Sequence, residues 1–399
     1  MKSYVVIGGG LAGLTAANEL AGQGNRITLL EQSSHLGGRA GTQNESGYLL
    51  NLGPHALYRG GRAAQTFRDW RIPFSGGVPP TASRAYFVRE GQFYPMVTNL
   101  GGLLATRIFN FREKLEVSNL LRSFTAAKAN QRERMADWLD RHVSTARVRE
   151  FAATLIRIAT FAIDLDLLDA QAALNQIASA LKDNVLYLDG GWQTLVDGLA
   201  QRARSLGVNI RCGEPVANVD SIEAAGIVLA VNPAQVEKLT GVPLPAGLPL
   251  HMASLDLGLD GLPKDAANAA FALDRPLYLS AHSASAKLAP QGGRMVHVAK
   301  YLGGARQDPN SVRAELEEYA TLVLPGWRRH VAFARFLPAL TVTPMMPTTT
   351  SRPDEDFLGL QRVTIAGDWV GPEGMLADAA VASALRAAGA IQRPRAAAA

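Results

Sequence analysis

Cysteine is almost absent from this sequence: Cys212 is the only one in 399 residues. A single thiol excludes a disulfide framework, a CxxC redox pair and a thiolate-built metal site. The seven histidines show no HExxH-type spacing, so no metal ligand set is expected. Long apolar runs are missing too, and none approaches the ~18 consecutive apolar residues of a membrane-crossing helix. Basic residues outnumber acidic ones by 40 to 35 but lie scattered, and without a dense Lys/Arg block nucleic-acid binding finds no footing. The opening MKSYVVIGGG enters a glycine-broken strand at once and carries no signal-peptide pattern. These absences predict a cytoplasmic protein, with peripheral contact to an anionic membrane surface left open. No internal repeat is visible, and the closing RPRAAAA reads as a frayed tail.

What is present is an ordinary globular composition, 47% apolar and 19% charged, in a chain long enough for two domains. Its strongest local signal is YVVIGGGLAGLTAANELAGQGNRITLLE, residues 4–31. Tyr4–Ile7 reads as a buried strand, Gly8, Gly10 and Gly13 form G-x-G-x-x-G, Leu11–Ala21 is helical in pattern, and Arg26–Leu30 is a second strand ending at Glu31. Gly8 makes the turn, Gly10 lets the backbone approach a pyrophosphate, and Gly13 allows helix and strand to pack closely. The phosphates would rest on the helix N-terminus, with Leu11 and Ala12 in its first turn. Glu31 follows Gly13 by 18 residues, where an acid accepts ribose hydroxyls and repels a 2′-phosphate; Gln32 comes next.

The stretch LEQSSHLGGRA, with Gly37, Gly38 and Arg39, resembles the flavin amine oxidase, phytoene desaturase and protoporphyrinogen oxidase superfamily, closest to its phytoene desaturase-like branch. The resemblance implies FAD, with Gly38 and Arg39 along the pyrophosphate and ribityl chain. It continues in LNLGPHALY, where Gly53, Pro54 and His55 would lie beside the flavin ring. In residues 183–219 Val216 would meet the adenine, and in VTIAGDWVGPEGMLAD Gly367 and Asp368 would hold the ribityl chain. The helix beginning near Gly374 would turn its N-terminus to the flavin's carbonyl edge, with Met375 beside the ring. The family's β-hairpin excursion before Ile227 is replaced by the seven residues DSIEAAG.

The expected fold class is α/β: a discontinuous, Rossmann-like FAD-binding domain (1–80, 185–245 and 355–395) with an inserted α+β substrate domain (81–184 and 246–354). Ala85–Pro95 alternates around Glu90-Gly91, a hairpin signal. Residues 101–182 look mostly helical, and 250–304 return to strand-like runs.

The implied chemistry is hydride transfer from a substrate carbon to noncovalently bound FAD. In the leading reading a C–C bond of an apolar small molecule becomes C=C. An amine oxidase forming an imine and a redox-neutral flavin-dependent isomerase remain open as alternatives. Four residues are candidates at the reacting end. His55 is a proton acceptor or polar guide, or a structural histidine; Tyr58 is a ring or substrate contact. Met375 is an apolar wall where amine oxidases carry an aromatic, or core packing. Lys300 is a lysine near the flavin, or an exposed strand lysine. Trp369 is a further ring contact. No second GxGxxG is present, so oxygen or a quinone is the expected electron acceptor.

Overall fold

The short runs YVVI and RITLLE are apolar on both faces, as strands covered by helices on either side must be. In the computed structural model, which describes residues 1–79, 83–304 and 307–393, they pair in parallel as Ser3–Ile7 and Arg26–Glu31. The RPRAAAA tail lies outside the described residues from 394 onward. Three further parallel strands complete a five-stranded sheet in the order Asn209–Cys212, Arg26–Glu31, Ser3–Ile7, Gly226–Leu229, Val363–Ile365. Strand order reverses on either side of Ser3–Ile7, and ligands of such sheets bind at the carboxyl ends beside that reversal.

Alternation divides the strand side chains between two covers. Tyr4 and Val6 pack with Leu14, Leu20, Leu195 and Leu199 of helices Leu11–Gly22 and Gln193–Ser205, and with Val381 of helix Leu376–Ala390. Val5 and Ile7 pack on the other face with Val236 and Leu239 of helix Pro233–Thr240. Asn18, buried inside the first helix, bridges to the carbonyl of Leu199 at 2.9 Å and so fixes two helices against each other. The molecule is thus an α/β fold whose parallel sheet is assembled from three separated stretches of chain.

The remaining chain forms a seven-stranded sheet in the order Val331–Thr343, Leu250–Asp260, Gly293–Leu302, Leu277–Ala281, Ala269–Ala272, Ala85–Arg89, Gln92–Pro95. Its neighbours are antiparallel except for the parallel pair Ala269–Ala272 and Ala85–Arg89. The Ala85–Pro95 hairpin turns at Glu90 and Gly91, both with positive φ (51° and 74°). One face of the sheet, with Leu255, Leu257, Val296 and Val298, is covered by helix Pro309–Val323. The other face, with Met252, Phe271, Tyr278 and Tyr301, looks towards helices Phe111–Ala126, Ala146–Thr160 and Ala170–Asp183. The first of these starts on a capping box, Asn110 and Glu113 each accepting the other's backbone N–H. The functional cavity lies on this second face.

Candidate active site

At the carboxyl ends of the parallel strands a cavity of about 1210 Å³ opens and continues between the antiparallel sheet and the helices. The glycine fingerprint shapes its first part. Gly8 has φ +107°, and a Cβ there would stand 2.4 Å from the Ala230 carbonyl oxygen. A Cβ on Gly13 would stand 1.8 Å from the Gly8 carbonyl oxygen, so Gly13 serves packing and lies behind the wall. Gly10, Leu11 and Ala12 line the cavity, and a Cβ on Gly10 would meet nothing nearer than 3.9 Å. The first-turn N–H groups of this helix have no intrahelical partner, which suits an anion placed there.

Glu31 is already engaged twice. Its Oε2 accepts the Gly9 N–H at 2.6 Å and its Oε1 the Ser33 N–H at 2.8 Å. A carboxylate offers about four lone-pair sites, so capacity for ribose hydroxyls remains. Gln32, Gly38 and Val216 line the same part of the cavity, together with Glu214.

Arg39 and Asp368, assigned separate tasks by sequence reasoning, are tied to each other. Two parallel bonds of 2.8 and 2.6 Å join them, and Arg39 also donates to the Val342 carbonyl. Asp368 is buried while Arg39 is half-exposed. Burial opposes the guanidinium charge, yet the carboxylate beside it raises the Arg39 pKa above its ordinary value. Arg352, in no motif, donates to the carbonyls of Asp368 at 2.8 Å and Gly374 at 2.9 Å, and burial lowers its pKa to about 10. It pins both ends of the loop that carries Gly367 and Asp368 along the cavity wall.

Beyond this loop the structure corrects several expectations. Met375 does not face the cavity: it is buried in the core of the helical layer and occupies the N-cap of helix Leu376–Ala390. Leu376, held at φ 55°, lines the cavity instead. A left-handed residue at the helix entrance turns the chain in a way the linear motif does not specify. Gly374 is likewise off the wall; its φ of +70° and the Asp378 Cβ 3.2 Å from a built Cβ explain the glycine. Gly53, at φ +77°, sits under Leu340 rather than in the lining, where its neighbours Pro54 and His55 appear. Lys300 points to the opposite face of its strand and pairs with Glu315 of helix Pro309–Val323. The period-two alternation sends its neighbour Tyr301 to the cavity and Lys300 away from it.

His55 does line the cavity. Its Nδ1 donates to the Gly53 carbonyl at 3.0 Å, which leaves Nε2 as the acceptor of the neutral ring. Burial lowers its pKa to about 4, so it is uncharged at neutral pH. Tyr58 also reaches the wall, but its hydroxyl is spent on the Ala159 carbonyl at 2.8 Å, and burial raises its pKa. Trp369 lines the cavity with its indole N–H donated to the Val231 carbonyl at 3.2 Å.

Trp192 and Asp378 are among the lining residues that escaped the sequence reading. Trp192 stands edge-on to His55, ring centroids 5.0 Å apart, and its buried Nε1 has no hydrogen-bond partner. Its signal was the Gly190-Gly191-Trp192 turn. Asp378 accepts the Ala63 N–H at 2.8 Å and so caps helix Arg62–Asp69 from a distant segment; burial raises its pKa to about 6.

The far part of the cavity is walled by Phe87, Phe151, Phe161, Phe271, Tyr278 and Tyr301, with Leu155, Ile158, Met252 and Leu340 between them. Among the described lining residues the only Lys or Arg side chains are Arg39, bound to Asp368, and Arg122, which is exposed. An open backbone at Gly10, an acid at the end of the second strand and an orphan indole N–H beside His55 fit a dinucleotide running inward to a flat ring. Among the described residues no cluster of three or more His, Cys, Asp or Glu is placed to hold a metal ion.

Comparison with known proteins gives a family and a fold. The sequence model for flavin-containing amine oxidoreductases matches residues 11–239, more than half of the chain. An L-amino-acid oxidase of Bungarus fasciatus is 27% identical over 225 residues, 51% of this chain but only 41% of that protein, so the chain matches about two fifths of this relative's length. In fold, an oxidoreductase from Methanosarcina mazei aligns with a TM-score of 0.77 at 17% identity, covering 96% of this chain and 99% of its own. Cyclohexylamine oxidase from Brevibacterium oxydans aligns with a TM-score of 0.68 at 15% identity, covering 98% of both chains.

Proposed function

The chain belongs to the flavin-containing amine oxidoreductase family, and from that premise we propose that it is an FAD-dependent oxidoreductase that desaturates an apolar small molecule. The observation that carries the substrate class is the predominance of aromatic and aliphatic side chains in the far wall of the cavity. An amino-acid substrate would bring a carboxylate, and no buried, unpaired cation stands ready for it among the described lining residues. A small amine would call for a polar or tightly aromatic cage at the start of helix Leu376–Ala390, where Leu376 stands instead.

In this reading residues 1–80, 185–245 and 355–395 hold noncovalent FAD, and 81–184 with 246–354 hold the substrate. Gly10, Leu11 and Ala12 take the pyrophosphate, Glu31 and Gln32 the ribose, and Val216 the adenine. Gly38, Arg39, Gly367 and Asp368 follow the ribityl chain, and Pro54, His55 and Trp192 border the ring. Bound there, the flavin supplies a hydride acceptor at N5. The protein's part is to orient the C–H bond, to exclude water with the apolar walls, and to aim the N-terminus of helix Leu376–Ala390 at developing negative charge. Oxygen or a quinone would serve as the electron acceptor.

The cavity mouth supports an apolar substrate as well. Leu100, Leu103, Ser118 and Arg122 line it, and next to them Leu104, Phe111 and Leu115 are exposed, Phe111 at 75%. Arg107, Arg112 and Arg122 are exposed around this patch. Apolar anchors ringed by arginine suit the surface of an anionic bilayer. Among the described residues no helix is long and apolar enough to cross a membrane, so the contact would be peripheral. Phe111→Glu should abolish flotation with phosphatidylglycerol vesicles.

Anaerobic mixing tests the reading. Loss of oxidised-flavin absorbance with squalene, and none with putrescine or cyclohexylamine, is expected. Bleaching by the amines alone would transfer the assignment to amine oxidation, and double-bond migration without net oxidation would make the enzyme an isomerase.

A further inference from the structure

The sheet face that looks into the cavity carries one cluster of buried carboxylate and imidazole groups. Register sets Asp256 opposite His297 and His297 opposite Ser280, and His282 follows directly after strand Leu277–Ala281. Oδ1 of Asp256 accepts the His297 Nδ1–H at 2.7 Å and the Ser254 hydroxyl at 2.5 Å; its Oδ2 accepts Nη2 and Nε of Arg335 at 2.5 and 3.1 Å. Since a carboxylate only accepts, the Nδ1 of His297 carries a hydrogen.

The Nε2 of His297 is buried and has no hydrogen-bond partner, and the same holds for Nδ1 of His282. The two rings are each 1% exposed, and their centroids lie 4.6 Å apart. Tyr187 stacks on His282 at 3.7 Å and shares a hydrogen bond of 3.1 Å with Ser280, which fixes the imidazole plane. His282 lines the cavity and His297 stands behind it. Burial, with the nearby rings of His297 and His55, holds the His282 pKa well below its ordinary value, so the resting ring is neutral. Buried polar atoms are normally partnered. Two orphan nitrogens on adjacent buried rings, one ring lining the cavity and the other held by a fixed carboxylate, are the exception that calls for a function.

We propose that His282 accepts the proton a substrate loses on oxidation, with His297 and Asp256 as positioning residues behind it. The proposal rests on the oxidoreductase reading above. The substrate gives up a hydride, with its electron pair, from one carbon to the flavin as oxidant. The neighbouring carbon releases its proton to the imidazole of His282, and the electron pair left behind closes the new double bond. The substrate loses two electrons and two hydrogens, and the imidazole gains one proton. His297, held on its other side by the Asp256 carboxylate, packs edge-on against the His282 ring and fixes its place. His55, in the same wall, has its Nδ1 committed to Gly53, and Lys300 is out of reach.

The test needs no substrate. FAD-loaded protein labelled with 15N-histidine is observed at neutral pH before and after reduction with dithionite, with His282→Gln and His297→Gln identifying the signals. The ring nitrogens of His282 should move from neutral towards imidazolium shifts when the flavin becomes reduced, and Asp256→Asn should suppress that movement. The midpoint potential of the bound flavin should depend less steeply on pH in His282→Gln than in wild type. A His282 that stays neutral on reduction, or an unchanged slope in His282→Gln, overturns the proposal while leaving the oxidoreductase reading intact. A protein that binds no FAD overturns the reading itself.

Discussion

Arg39→Ala should destabilise the FAD-stripped protein more than Asp368→Asn, although both remove the same ion pair. Removing one partner of a fully buried pair costs about 3–5 kcal/mol, because the other charge is left uncompensated. Here only Asp368 is buried, at 3% exposure against 49% for Arg39. Arg39→Ala strands a buried carboxylate that accepts two bonds of 2.6 and 2.8 Å. Water entering through the Arg39 position screens part of that penalty, which leaves about 2 kcal/mol. Asp368→Asn keeps the shape and returns a half-solvated guanidinium to water, at about 1 kcal/mol or less. An unfolding entropy of about 2.1 cal/mol/K per residue, over the 399-residue chain, makes 2 kcal/mol worth about 2–3 °C in Tm. Urea denaturation of both single variants and the double variant measures the difference and the coupling. Equal costs, an inverted order, or a coupling below about 0.5 kcal/mol would refute the argument that burial asymmetry governs this pair.

Three further outcomes are expected. Glu31→Ala should raise the FAD dissociation constant at least tenfold by fluorescence titration, since charged hydrogen bonds of about 1.5–3 kcal/mol each are lost and Gly9 and Ser33 lose their anchor; unchanged affinity would place the ribose elsewhere. Burial raises the folded-state Asp378 carboxyl to about 6, above an unfolded value of about 3.9. Between the two the folded state binds more protons, so this contribution to stability falls as pH rises through the window and is flat above it. Asp378→Asn should therefore gain on wild type by on the order of 2 kcal/mol between pH 4 and 6, and parallel stability curves would contradict the burial argument. Lys300→Met should leave flavin reduction unchanged and cost under about 1 kcal/mol, because its Glu315 partner lies across the sheet from the cavity; a large rate loss would show that the strand faces are misassigned.

Much of the parallel-sheet half was legible because its requirements are local. A turn with φ +107° at Gly8 and a Gly8 carbonyl oxygen 1.8 Å from any Cβ on Gly13 leave only glycine, so spacing along the chain announces them. The Glu90-Gly91 turn was readable for the same reason. The substrate half was not legible. Phe87, Phe151 and Tyr301 meet across strands and helices far apart in sequence, and an apolar residue looks alike whether it fills a core or walls a cavity. Met375 and Leu376 make the point at single-residue scale: both belong to one motif, and a left-handed φ at Leu376 decided which of them reached the cavity. Lys300 was misplaced by one step of strand alternation.

By itself the sequence determined the parallel-sheet unit, the glycine turn at Gly8–Gly13 with Glu31 at the end of the second strand, and the flavin family, because short-range sterics and hydrogen bonding restrict which residues can stand there. Only the tertiary structure decided that Arg39 grips Asp368, that Arg352 pins the 367–374 loop, and that Asp256, His297 and His282 share one sheet face. Those are contacts between distant segments, set by strand register and packing, and no local pattern encodes them.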